Sequence, residues 1–199
     1  MENKQDILKH LNEIHTSLLD SEKFMPYDYN AIIMWGAISS VLFLFGGYAF
    51  ENSTLTGFLF LSLFLGGGIF IERKMIAKEN VKHELENLTK IQKFFEQTLG
   101  AAIVMGILLS VLLVEHALVE YVYLTWIFLI GFCVYVIGFT LNSKPFLNNG
   151  KLSIVVSLVL FSLGLLFDFT ALNQLAALAL LGFGHIYLGW KLKQEAKSV

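Results

Sequence analysis

The sequence predicts an all-α polytopic membrane protein, with six transmembrane helices arranged as three parallel-repeat helical hairpins and with cytosolic amphipathic helices beside them. Three observations predict it. A 199-residue chain that is 56% hydrophobic and 15% charged, with a mean hydropathy of +0.66, has too little polar surface to coat a soluble globule. Apolar runs long enough to cross a bilayer recur along its length. All 14 basic residues, finally, fall in alternate segments between those runs. Lys4, Lys9 and Lys23 precede the first run, and Arg73, Lys74, Lys78, Lys82, Lys90 and Lys93 lie between the second and third. Lys144 and Lys151 separate the fourth and fifth, and Lys191, Lys193 and Lys197 follow the last. The intervening links, around Glu51, around Glu115 to Glu120 and around Asp168, hold no Lys or Arg. Because basic loops stay on the cytoplasmic side, both termini are expected there.

Residues 1–25 read as a cytosolic amphipathic helix. Ile7, Leu8, Leu11, Ile14, Leu18 and Leu19 recur at three- and four-residue spacings among Lys4, Lys9, Glu13 and Asp20. Pro26 ends that pattern, and Tyr27 and Tyr29 supply interfacial aromatics around Asp28, a candidate N-cap. The chain opens Met-Glu and stays polar to Asp28, so no cleaved leader is expected and the first span should be retained. Residues 30–71 form the first transmembrane hairpin. Its opening run, 31–50, is uncharged for 20 residues, about 30 Å of helix, which matches the hydrocarbon thickness.

Residues 72–97 read as a cytosolic basic helix. Glu79, Glu84, Glu86 and Glu96 interleave with its lysines, so it suits solvent and not nucleic acid, and Val81, Leu85, Leu88, Ile91 and Phe95 make an apolar stripe along it. The second hairpin occupies 98–143 and the third 152–191. In the third, the run 152–167 offers 16 residues, about 24 Å, and is expected to draw in its flanks or thin the bilayer.

The hairpins resemble one another. At an offset of 51 residues Gly131-Phe132 falls on Gly182-Phe183 and Gly138 on Gly189. At an offset of 70, Gly36 falls on Gly106, Ser40-Val41-Leu42 on Ser110-Val111-Leu112 and Gly68 on Gly138. Units of two spans share one orientation, so these would be parallel repeats about an axis normal to the membrane. Gly66 to Gly68, Gly131, Gly138, Gly182 and Gly189 all lie on even-numbered spans, which are therefore expected to make the closest helix contacts.

Few side chains suggest chemistry. His185 is the ionisable group well inside a span, with Tyr187 beside it in sequence; anchoring near the interface is the expectation, and a ligand or proton role the alternative. Glu115, His116 and Glu120 on the acidic side could hold a divalent cation if their links converged, although such a face also arises from charge segregation alone. Cys133 reads as a buried, inert thiol. Hydrolase, zincin, nucleotide-loop and dinucleotide motifs are missing, so no enzyme activity and no cofactor are expected.

A short amphipathic opening helix, two spans, a charged segment, four more spans and the closing Gly182-Phe183-Gly184-His185-Ile186-Tyr187-Leu188-Gly189-Trp190-Lys191 resemble an uncharacterised family of six-span bacterial inner-membrane proteins. The chain departs from that pattern in having Pro26-Tyr27-Asp28-Tyr29 where small Ser or Gly residues are expected. The resemblance implies a bacterial inner-membrane location and brings no activity. The expected function is that of a non-enzymatic membrane protein whose cytosolic helical layer binds or regulates a partner. Besides the lipid bilayer, a cytosolic protein or a second copy of the chain is the partner class, met through Leu11, Ile14, Leu85 and Leu88. A small transporter or channel using the bundle interior is the alternative.

Overall fold

A computed structural model describes residues 28–82, 90–164 and 170–195 as helices joined by short turns, with no strand among them. In chain order the helices are α1 Tyr29–Asn52, α2 Thr54–Lys82, α3 Lys90–Glu115, α4 Glu120–Thr140 and α5 Lys144–Gly164. They are followed by α6 Thr170–Ala177, a π-helical segment Leu178–Phe183 and α7 Gly184–Glu195. The last three run on as one rod, and the described residues thus contain six helices long and apolar enough to cross a membrane.

Local chemistry accounts for the helix ends. Asp28 caps α1, its Oδ1 accepting the Asn30 backbone N–H at 2.8 Å. Ser53 turns the chain between α1 and α2 and accepts the Thr56 N–H at 3.0 Å. Between α3 and α4, Ala117 takes a left-handed conformation, φ 58°, as Leu118 N–H closes back onto the Leu113 carbonyl at 2.8 Å. Asn142, φ 50°, plays the same part between α4 and α5, and it is a residue that tolerates that region.

The helix bounds bear on two of the expectations. The segment 72–97 is not a separate helix where it is described: residues up to Lys82 continue α2 and those from Lys90 begin α3. Neither Gly nor Pro interrupts the chain between Ile69 and Leu99, so nothing in the sequence stops the apolar helix at the first charge. The fifth span draws in its N-terminal flank, starting at Lys144 with Pro145 in its first turn, and reaches 21 residues, about 31 Å.

Two apolar clusters fill the bundle, one towards each end. At the end that carries Lys144, Lys191 and Lys193, here the basic end, Ile32, Phe95, Ile137, Phe146, Leu188 and Leu192 are buried together, bringing α1, α3, α4, α5 and α7 to one place. Lys193 Nζ also donates to Asn30 Oδ1 at 2.9 Å, tying the last helix to the first. Towards the acidic end Leu124, Ile127, Leu160, Ala177 and Leu181 form the second cluster, with Phe43 and Trp126 against it. Chain direction alternates between the ends, as six successive crossings require.

Glycines set how closely the helices approach. A methyl added at Gly138 would lie 2.5 Å from Leu147 N, and one at Gly131 would strike Ser153 Cβ, so α4 and α5 pack backbone to backbone. Between α1 and the sixth span, a methyl at Gly36 would lie 2.7 Å from the Gly182 carbonyl oxygen, and one at Gly189 2.8 Å from that of Tyr29. Gly68 is closed by the Trp35 ring of α1. The even-span expectation thus describes Gly68, Gly131, Gly138, Gly182 and Gly189, while methyls at Gly66 and Gly67 would meet nothing within 4 Å.

Candidate functional site

The two helices that flank the charged segment are the least embedded. The packing of α2 is chiefly with α1, and that of α3 with α4. Tight seams run between α4 and α5 and between α1 and the sixth span, whereas α2 and α3 stand apart at the basic end. Between them lies a crevice of about 150 Å³. Its apolar wall comprises Ile69 and Ile76 from α2 and Leu99 and Ile103 from α3, with buried Phe95 joining it to the basic-end core. Its lining also includes the charged residues Glu72, Arg73 and Glu96. Trp35 reaches it from α1, and Trp35 Nε1 is buried with no hydrogen-bond partner. An indole N–H out of water and without an acceptor is costly to leave in that state. The sequence pattern gave no sign of the crevice, because its lining comes from three helices that are not paired by any local periodicity.

His185 sits just beyond the π-helical segment. That segment shifts the backbone ladder by one residue, so that Gly184 N–H bonds to the Ala179 carbonyl. His185 Nδ1 lies 3.2 Å from the Leu180 carbonyl, placed to donate to it. The ring is buried, 9% exposed, while Tyr187 is 60% exposed and rests near Trp190 with ring centroids 6.1 Å apart. The two side chains of the sequence-derived pair therefore leave the helix in different directions and form no joint site. His185 here completes a helix irregularity.

On the acidic side, His116 Nδ1 lies 2.9 Å from its own helix's Leu112 carbonyl, and Glu120 takes the first turn of α4, where its charge suits the helix dipole. Among the described residues Glu115, His116 and Glu120 do not form a group that could hold a metal ion. The Glu120 carbonyl is instead engaged by Asn173 Nδ2 at 3.2 Å. Asn173 is fully buried, as are Ser153 and Ser157 to within 2%, and these interior polar residues were not singled out from the sequence. Gln174 Nε2 similarly reaches the Phe43 carbonyl of α1 at 2.7 Å. Such bonds tie neighbouring helices together. Leu11, Ile14, Leu85 and Leu88, the candidate partner-binding residues, lie outside the described residues.

Cys133 is buried, with Sγ 3.9 Å from the Thr98 carbonyl. No protein-family model, curated protein or solved structure matches the chain, and the resemblance noted above rests on the residues quoted for it.

Proposed function

We propose that this is a non-enzymatic multi-pass protein of the bacterial inner membrane, with both termini cytoplasmic, whose cytosolic helical layer binds or regulates a partner. The observation that carries this reading is the attachment of α2 and α3. They lead into and out of the charged segment, each leans chiefly on one neighbour, and a crevice separates them at the basic end. A partner that grips the segment between them would act on the helices with the fewest restraints.

The opening residues supply a natural lid for that layer. The stripe of Ile7, Leu11, Ile14 and Leu18 needs a covering surface, and Leu85 and Leu88 lie on the same side of the membrane in the expected topology. Burying a few hundred Å² of apolar area contributes several kcal/mol at about 25 cal/mol per Å², enough to order the pair. The three hairpins as parallel repeats belong to the same proposal: they would make α2–α3 the counterpart of the α4–α5 seam, left open. Small-molecule transport ranks second. Buried Ser153, Ser157 and Asn173 favour it, but apolar clusters occupy both halves of the bundle and Ser157 Oγ is spent on the Ile154 carbonyl.

Protease protection in vesicles with the cytoplasmic face outward tests the layer. Leu11→Asp with Ile14→Asp should expose residues 1–27 to cleavage while leaving reporter topology unchanged. Unchanged protection would reject the layer, and solute flux in proteoliposomes indifferent to these substitutions would favour transport.

A further inference from the structure

The face that α5 turns away from the bundle carries charge without a counter-charge. Gly150, Ser153 and Ser157 are buried against the other helices, whereas Lys144, Asn148 and Lys151, spaced by four and three residues, are exposed together on the opposite side. Between Glu120 and Asp168 the chain holds no Asp or Glu, and none follows Asp168 until Glu195. The helices packed on α5, chiefly α4 and α7, thus bring no carboxylate to the basic end short of Glu195, and Glu96 of α3 lines the crevice. Among the described residues neither lysine has a hydrogen bond or an ion pair.

Depth makes this charge costly. The uncharged run 152–167 would measure about 24 Å as helix, about 6 Å short of the hydrocarbon thickness, so the Lys151 backbone is drawn inside the margin. Cα–Cβ bonds lean towards a helix N-terminus, here the basic end, and a four-carbon stem lets the Lys151 ammonium climb back to the level of the headgroups. Lys144 lies about 10 Å further along the axis, within the same interfacial layer. A phosphodiester supplies what the two ammonium groups lack: its oxygens accept N–H bonds from both lysines and from the Asn148 amide, and the positive pole of the α5 dipole lies beside them. A headgroup with its own ammonium would set that charge against the lysines, so net negative charge is selected. Val155 and Val159, exposed one and two turns further in, continue the face as an apolar track.

We propose that the outer face of α5 binds a phospholipid of net negative charge from the leaflet at the basic end. Lys144, Asn148 and Lys151 hold its phosphate, and one acyl chain lies along Val155 and Val159. The site is independent of the partner-binding reading, because neither the charged segment nor residues 1–27 take part in it.

The test uses the full chain carrying Val155→Trp, in phosphatidylcholine vesicles doped with phosphatidylglycerol, phosphatidylethanolamine or phosphatidylcholine brominated in the acyl chain. Bromine quenches nearby indole emission, and subtracting the signal of the parent chain isolates the added indole. The local preference for brominated phosphatidylglycerol over the other two should be about 25-fold, a factor of about five from each lysine near an anionic surface. Lys144→Gln and Lys151→Gln should each lower it about fivefold, the two together should abolish it, and Lys151→Arg should keep it. A second reporter, Leu63→Trp, likewise exposed but amid the uncharged run of α2, should show no such preference. Equal preference at the two reporters, or a preference that survives the double substitution, overturns the proposal. So does an added indole at position 155 that no brominated lipid quenches, which would give this face to a second copy of the chain.

Discussion

Replacing Gly138 with Ala is the sharpest test of how this bundle holds together. The new methyl would lie 2.5 Å from Leu147 N and 2.8 Å from Phe146 Cβ. Carbon contacts settle at about 3.5–4.0 Å, so α4 and α5 must separate by about 1 Å or their backbones must bend. A gap of that size forfeits up to about half of the dispersion energy of each atom pair along the seam. Lipid supplies no compensating hydrophobic drive between helices. Overpacking of this sort costs about 1–3 kcal/mol, against a helix-propensity gain of about 1 kcal/mol on replacing Gly. The net expectation is a destabilisation of up to about 2 kcal/mol. Gly67→Ala is the internal control: it meets no atom within 4 Å and should be neutral or stabilising by up to about 1 kcal/mol. Unfolding followed by tryptophan emission, in mild detergent titrated with dodecyl sulfate, measures both variants. A Gly138→Ala protein at least as stable as the Gly67→Ala protein would refute the reasoning, because the two differ chiefly in what surrounds the added methyl.

The remaining predictions use other elements. Asp28→Ala removes the cap that holds the Asn30 N–H and should cost about 1 kcal/mol in the same assay, with Asp28→Ser recovering most of it. His185→Phe leaves the Leu180 carbonyl without its side-chain donor inside the bundle and should destabilise by about 1–3 kcal/mol, whereas Tyr187→Phe, on an exposed ring, should stay within about 0.5 kcal/mol of the parent. Ala117→Gly relieves a left-handed φ of 58° and should raise the melting temperature, the conformational gain of about 1 kcal/mol exceeding the added chain entropy. Reporter fusions after Ser53 and Leu118 should behave as external and those after Lys82 and Lys197 as cytoplasmic; an external signal at Lys82 would reject the orientation.

What could be read in advance follows the range of the interaction. Spans are legible because twenty apolar residues in a row leave a chain few alternatives, and the cap at Asp28 is legible because it depends on residues two apart. Gly138 and Gly189 could be picked out as contact points from composition alone, but their partners could not. Phe146 and Leu147 meet Gly138 across a turn, while Tyr29 and Ile33 meet Gly189 from the opposite end of the chain. The sequence reading of 152–167 stopped short at Lys151, because a lysine next to Asn148, Asn149 and Gly150 looks like a loop. In the fold Gly150 packs on the Tyr135 backbone, and the helix continues through the polar residues. The π-helical segment has no periodic signature at all, being one extra residue accommodated inside an apolar run. The crevice was invisible for a related reason: it records helices that fail to pack, and failure to pack leaves no local pattern.

The contact between Lys193 and Asn30 spans 163 residues of chain. At a synthesis rate of about 5–20 residues per second, α1 leaves the ribosome roughly 8–30 s before the helix that covers its Gly36 and Ser40 face is made. Throughout that interval α1 has α2 as its main neighbour, and its small-residue face lies open. Assembly is therefore governed by the last helix to arrive, and a nascent chain arrested before Gly182 should remain exchangeable, a species that proteolytic quality control can distinguish from the finished bundle.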